Sequence, residues 1–249
     1  MPALLEIEDI HTYFPTNEGI VKAVNGISLS LHENRVLGVV GESGSGKTMT
    51  ALSILQLVPF PGDVVKGKIT YDGQDLLNMP VSQLRRIRGK EISLIFQDAG
   101  AALNPVISVG KQVEELMLEH TDMSKRQARA FAAELLSQMG IPDANEMLDR
   151  YPFQLSGGMA QRVLLAIGVA LKPRILIADE PTSNLDVTLQ AEILHRLRRL
   201  REENGTAIML ITHDLGVIAQ MAEMVAVMYG GSIVEYADTL TLYRRHMHP

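Results

Sequence analysis

The sequence predicts an α/β fold: a mostly parallel sheet core, an antiparallel β layer and an inserted helical lobe. Three observations carry this. Ile175-Leu176-Ile177-Ala178 and Ala207-Ile208-Met209-Leu210-Ile211 are continuous apolar runs. Such runs suit parallel strands buried on both faces. Apolar Val36-Leu37-Gly38-Val39-Val40 is followed at once by a glycine-rich run and then by a helical pattern over 49–55. Strand, glycine loop and helix start form a phosphate-binding unit when they occur in that order. Residues 4–10 and 26–31 alternate in polarity, and 67–73 end on the turn signal Asp72-Gly73. These three read as short strands of an antiparallel layer.

Between these landmarks, Glu91-Ile92-Ser93-Leu94-Ile95-Phe96 reads as a core strand. Residues 109–140 read as helical, with charged and apolar faces, and Pro142 and Pro152 punctuate the end of that stretch. The outline is a core of residues 1–97 and 165–249 with a helical lobe over 98–164. No repeat or low-complexity tract interrupts it.

Composition sets bounds. A length of 249 residues admits one large domain or a core with an inserted lobe, and 46% apolar content supports a sizeable interior. A net charge of −6 argues against a dedicated nucleic-acid binder. With no cysteine there is no disulfide framework and no thiolate metal site, as suits a reducing compartment. Glu6, Glu8 and Asp9 interrupt the N-terminus, so no leader peptide is expected. The longest apolar stretch, 163–171, falls far short of the ~20 residues a membrane span needs. Any membrane role is therefore expected to be peripheral.

Gly41-Glu42-Ser43-Gly44-Ser45-Gly46-Lys47-Thr48 fits G-x-x-x-x-G-K-[ST]. Glycines let backbone N–H groups turn inward around a phosphate, and the helix N-terminus adds partial positive charge. Lys47 suits the β- and γ-phosphates, and the Thr48 hydroxyl suits Mg²⁺. A chance glycine turn is the plain alternative. A dinucleotide fingerprint fits poorly, because no third glycine follows Gly46 three residues on. Asp179-Glu180 end an apolar strand, where one carboxylate can hold Mg²⁺ and the other can polarise water. Alone, they would be two ordinary acids at a strand end. Ser156-Gly157-Gly158 open a helix and offer a hydroxyl and free N–H groups to an anion, although Ser-Gly-Gly is also a common turn.

With Leu155 before it and Met159, Gln161 and Arg162 after it, that last segment resembles the signature motif of the ABC ATPase family. From about Leu4 onward the whole chain resembles the nucleotide-binding subunits of that family. Gln97 stands at the Q-loop position, Ser183-Asn184-Leu185-Asp186 at the D-loop and His213 at the switch histidine. The resemblance implies a P-loop NTPase of ABC type and an Mg²⁺-dependent ATPase. It implies a head-to-tail dimer with a second ATPase subunit, identical or paralogous, each ATP lying between one phosphate loop and the other subunit's signature. Gly41, Ser43, Gly44, Ser45, Gly46, Lys47, Thr48 and Met49 would hold the nucleotide from one side. Ser156, Gly157, Gly158 and Asp186 would act across the dimer. Thr48, Gln97 and Asp179 would serve the metal, while Glu180, His213, Lys47 and Gln97 serve catalysis. An aromatic would stack on adenine: Phe14 is favoured, with adjacent Tyr13 the alternative.

Several phrases resemble the peptide and nickel importer branch: Leu94-Ile95-Phe96-Gln97-Asp98, Leu103-Asn104-Pro105, Tyr151-Pro152-Phe153-Gln154, Asp186-Val187-Thr188-Leu189-Gln190 and Thr212-His213-Asp214-Leu215-Gly216. Met159 in place of the commoner glutamine belongs to the same pattern. The expected function is uptake of peptide or nickel. The expected partners are transmembrane permease subunits and, through them, an extracytoplasmic solute-binding protein, with no nucleic acid. The expected location is the cytoplasmic face of the membrane. A soluble ABC ATPase acting on nucleic acid or ribosomes is the rival, disfavoured because no coiled-coil insertion or second ATPase half is present. The chain departs from the branch at 99–102, at Asn184 and at Ala160. His246-Met247-His248-Pro249 stands where long peptide importers continue into an extension.

Other features keep plain readings. His11, His32, His120 and His195 are scattered singly. Arg196, Arg198, Arg199 and Arg201 alternate with leucines and precede Glu202-Glu203, as a solvated amphipathic helix face would. His246 and His248 suit a mobile tail better than a metal site.

Overall fold

The computed structural model describes residues 3–183, 185–245 and 247. Asn184, one of the departures from the branch, and the terminal His246 and His248 lie outside the described residues. In chain order the elements begin with β1 (Leu5–Thr16), β2 (Gly19–Leu31), β3 (Val36–Val40), α1 (Lys47–Ile54), β4 (Asp63–Tyr71) and β5 (Gln74–Asp75). Then come α2 (Val81–Ile87), β6 (Ile92–Ile95), α3 (Ala99–Ala102), α4 (Val109–His120), α5 (Lys125–Gln138) and α6 (Ala144–Met147). A 3₁₀ turn (Pro152–Gln154) precedes α7 (Gly157–Val169) and β7 (Ile175–Asp179). The chain closes with α8 (Val187–Asn204), β8 (Ala207–Thr212), α9 (Leu215–Met221), β9 (Met224–Tyr229), β10 (Ser232–Asp238) and α10 (Thr239–Arg245).

One sheet has the order β10-β9-β3-β8-β7-β6, parallel from β9 to β6 with β10 as an antiparallel edge. Its central strands β3, β8 and β7 are buried throughout because both faces are covered. Val36, Val40, Ile95, Leu176, Ala178, Ile208 and Leu210 join a core with helices α4 to α9. Their alternate neighbours Leu37, Val39, Ile92, Ile175, Ile177, Met209 and Ile211 join a second core under the β layer. Period-2 side chains serving two interiors produce the uninterrupted apolar runs. The backbone of β3 is approached so closely that a Cβ on Gly38 would lie 2.6 Å from Ile218 Cδ1.

The other sheet is antiparallel, in the order β2-β1-β4-β5. Its first hairpin is longer than the sequence suggests, since β1 continues to Thr16 and β2 begins at Gly19. The far ends pair through Phe14↔Val21 and Thr16↔Gly19. Their side chains are exposed on both faces beyond Phe14, so no alternation marks them. A bulge at Asp9, with φ of 46°, re-aims the strand just before His11 and Thr12.

The single helical stretch expected over 109–140 is two helices. Thr121 leaves α4 in extended conformation, and Ser124 starts α5 with a capping box to Gln127. A Ser-x-x-Gln box satisfies the orphan N–H groups of a new helix, and this local chemistry outcompetes continuation of the old one. The arginine run on α8 is neutralised locally: Arg196 pairs with Glu192, Arg199 with Glu203 and Arg201 with Glu223.

Candidate active site

The register of the parallel sheet sets where chemistry can happen. Val40 pairs with Thr212, Ile211 with Asp179 and Ala178 with Ile95. The carboxyl ends of β3, β8, β7 and β6 are therefore flush. Their last residues and the loops leaving them carry the glycine run, His213, Asp179-Glu180 and Gln97 respectively. Ligand sites of open α/β sheets form at this edge.

The glycine run wraps the start of α1. Gly46 caps the helix in left-handed conformation with φ of 104° and supplies no side chain to its first N–H groups. A Cβ there would strike Ala23 O, and one on Gly41 would strike Met228 O. The loop thus lies directly on the backbone of β2 and on the end of β9. Gly231 N donates to Ser45 O at 3.0 Å, so the β9–β10 turn braces the loop as well. Lys47 is buried and folds back, donating to Gly41 O at 2.7 Å and Glu42 O at 2.8 Å. Burial pulls its ammonium below the ordinary lysine range, while Glu180 and Asp179 oppose that shift. Ser45 Oγ is buried without a partner, and Ser43 is exposed at the mouth. Met49 occupies the first turn of α1, partly buried.

Across the edge, Thr48 Oγ1 donates to Asp179 Oδ2 at 2.7 Å. Asp179 is only 2% exposed, and its Oδ1 has no hydrogen-bond partner. Burial pushes its carboxyl above the usual range, partly opposed by the Thr48 hydrogen bond. A buried carboxylate oxygen left without a donor costs stability. A hydroxyl and a carboxylate side by side are the hard oxygen donors that Mg²⁺ takes.

Glu180 adopts φ of 50°, an uncommon conformation for a residue with a Cβ. Its N–H donates to Ile211 O at 2.8 Å. Its Oε1 accepts from His213 N at 3.1 Å and lies 2.8 Å from His213 Nδ1, and Thr212 Oγ1 donates to Oε2 at 3.4 Å. The carboxylate is buried while the imidazole is largely exposed. Gln97 is exposed two residues past β6. The structure thus brings Lys47, Thr48, Asp179, Glu180 and His213 together and sets Gln97 on the same edge.

The residues that resemble the signature motif form a different surface. Ser156 caps α7 by accepting from Met159 N at 3.4 Å, and Ser156 and Gly157 are exposed. A Cβ on Gly157 would meet nothing within 4 Å, whereas one on Gly158 would lie 2.7 Å from Leu189 Cδ2. Asp186 caps α8, accepting from Leu189 N at 3.0 Å. Among the aromatics, the Tyr13 hydroxyl donates to Asn25 at 2.7 Å and also meets His11, and Lys22 Nζ lies 5.5 Å from its ring centre. Phe14 makes no such polar contact. It lies over the bare Cα of Gly62, on the same strand face as Thr12, which bonds Ser53 of α1.

Sequence reasoning missed the braces. Gly231 and Ala23 meet the loop only through tertiary packing. Thr212 stood beside a candidate, and Gln161 stood within the signature run, without any pattern marking either as a support.

Comparison with known proteins matches the fold and nearly the whole length of the chain. The family model described as ABC transporter matches residues 24–183. The chain is 44% identical to the dipeptide transport ATP-binding protein of Bacillus subtilis, over 100% of this chain and 75% of that protein. It is 44% identical to the oligopeptide transport ATP-binding protein of the same organism, over 99% and 69% respectively. Against a probable D,D-dipeptide transport ATP-binding protein of Escherichia coli the identity is 43%, over 99% and 75%. The dimeric post-hydrolysis structure of the ATP-binding cassette MJ0796 bound to ADP and phosphate superposes with a TM-score of 0.85 at 26% identity, covering 94% of this chain and 98% of that one. With the glycine run, the paired acids and His213 converging on one sheet edge, the chain belongs to the ABC transporter family, as an ATP-hydrolysing subunit.

Proposed function

We propose that this subunit powers peptide uptake through partner membrane subunits, hydrolysing ATP at the edge formed by β3, β8, β7 and β6. The relatives at 43–44% identity over nearly the whole chain carry dipeptide and oligopeptide transport in their names, which favours peptide over nickel. The observation that carries the hydrolytic role is Glu180: a buried carboxylate that accepts from His213 N and lies 2.8 Å from His213 Nδ1, beside Lys47 and Asp179.

In this reading Lys47 exchanges the carbonyls of Gly41 and Glu42 for the β- and γ-phosphates. Its charge is then matched by phosphate oxygens in a site that excludes water. The glycine-loop N–H groups from Gly41 through Met49, with the Ser43 and Ser45 hydroxyls, cradle the same oxygens. Thr48 and Asp179 would hold Mg²⁺, with Gln97 reaching in from the neighbouring strand end. The ion supplies neutralisation of phosphate charge when bound. Glu180 accepts the proton of the attacking water, and His213 holds that carboxylate in place and faces the γ-phosphate. Phe14 is the adenine platform, because Tyr13 is committed to Asn25 and His11.

The exposed tip formed by Ser156, Gly157 and Gly158 is the surface a second ATPase subunit meets head to tail, with Asp186 shaping that contact. The structural relative MJ0796 is itself dimeric, which supports this pairing. The lobe over 98–164 carries the tip and faces the permease. An extracytoplasmic binding protein delivers solute to the permease. No helix among the described residues is long and apolar enough to cross a membrane, which accords with a peripheral position on the cytoplasmic face. The test is vesicle reconstitution with the permease subunits and binding protein. ATP-dependent accumulation of a labelled dipeptide supports the proposal. Stimulation by nickel alone, or ATP turnover responding to nucleic acid, would replace it.

A further inference from the structure

Gln161 lies four residues into α7, buried in a helix whose neighbouring positions Val163, Leu165 and Ala166 are apolar core. Its Nε2 donates to Pro181 O at 2.9 Å. A buried amide in such a setting is costly unless bonded, so the contact is strongly determined. Pro181 is the residue bonded to Glu180, and Glu180 sits in a left-handed conformation. Such conformations persist only where the surroundings over-determine them. The surroundings here are Ile211 O on the Glu180 N–H, Ser183 N–H and Oγ on the Glu180 carbonyl, and Gln161 on the next carbonyl.

A second contact lies at the tip of the same helix. Gly158 abuts Leu189 so closely that a Cβ would be 2.7 Å from its Cδ2. Helix α7 therefore grips the segment running from Glu180 into α8 at both ends. The first grip is the carbonyl of Pro181, next after Glu180, and the second is the first turn of α8.

We propose that Gln161 is a positioning residue for hydrolysis: it ties the carbonyl of Pro181, the residue after Glu180, to the helix whose tip meets the second subunit. This rests on the ATPase reading above. Engagement of Ser156 at one nucleotide is then felt, through five residues of rigid helix, at the carboxylate that serves the other nucleotide. Nucleotides at the two sites are coupled without a wire of side chains, because the helix and the Glu180-Pro181 segment move as one body.

The test measures ATP turnover and nucleotide affinity of the full chain with its partner subunits. In Gln161→Met, which keeps the volume but loses the donor, kcat falls about tenfold while nucleotide affinity stays within about twofold. Gln161→His, whose Nε2 occupies a similar reach, recovers about half of wild-type turnover or more. On a Glu180→Gln background, Gln161→Met changes the residual rate by less than about twofold, because residues acting through one group are not additive. A purely structural role would lower thermal stability in every background and leave kcat of the folded fraction unchanged. Wild-type kcat in Gln161→Met, or a full additional loss on Glu180→Gln, overturns the proposal. If Gln161→Met does not fold, Gln161→Asn, one carbon too short to reach Pro181 O, carries the same comparison. Wild-type turnover in Glu180→Gln itself would instead overturn the active-site reading.

Discussion

His213 Nδ1 lies 2.8 Å from Glu180 Oε1, the two residues leaving the ends of neighbouring strands β8 and β7. A solvent-facing imidazole thereby holds a buried carboxylate, and the His213 N–H and the Thr212 hydroxyl complete its shell. The carboxylate is presented by its neighbours rather than by its own rotamer freedom.

Glu180→Gln keeps the shape and removes the proposed base. ATP binding should persist while hydrolysis falls by about 10²-fold or more, the usual share of a general base. Phosphate release and nucleotide titration on the same preparation check this. His213→Ala should lower kcat less than Glu180→Gln does, since the His213 backbone N–H still holds Oε1.

Lys47→Ala removes the ammonium that the loop carbonyls hold in place. Charge-assisted hydrogen bonds contribute about 1.5–3 kcal/mol, so ATP affinity should fall by roughly 10–100-fold. Fluorescent-nucleotide titration reads this directly. Unchanged affinity would count against the phosphate-loop assignment.

Asp179→Asn has opposite effects on stability and function. The folded carboxyl titrates above its unfolded value, so its ionisation costs stability once pH exceeds the carboxylate range. Asparagine keeps an acceptor for Thr48 and removes that cost. Without nucleotide, the thermal midpoint should rise by about 2–4 °C for each kcal/mol relieved. The gain should shrink as pH falls into the range where Asp179 takes up a proton. Mg²⁺-dependent ATP binding should be lost in the same variant, and a lower midpoint would contradict the burial argument.

Two glycines of the phosphate loop should respond differently to alanine. Gly44 has φ of 79° with nothing within 4 Å of an added Cβ, so Gly44→Ala should cost about 1–2 kcal/mol from backbone strain alone. At Gly46 the Cβ strikes Ala23 O as well, so Gly46→Ala should cost about 3 kcal/mol or more. Denaturant midpoints of the two variants check the ranking.

The parallel strands, the antiparallel layer, the phosphate loop and the paired acids were legible because each is written in local periodicity or in a contiguous motif. Helix α5 was legible only in part. Its capping box at Ser124 and Gln127 was present, but an amphipathic pattern on both sides hid the break. The outer half of the β1–β2 hairpin carried no signal, because strands exposed on both faces need not alternate.

By itself the sequence singled out the groups proposed for the phosphate chemistry: Lys47, Thr48, Asp179, Glu180 and His213 belong to short runs with motif spacing. Tertiary structure alone decided how those groups are held. The flush register of β3, β8, β7 and β6 brings them to one edge, Gly231 and Ala23 brace the loop, and Gln161 takes the carbonyl beside Glu180. The physical reason is that a motif encodes its contacts over a few residues, whereas a buried polar group takes whichever partner the packed fold brings within hydrogen-bond reach.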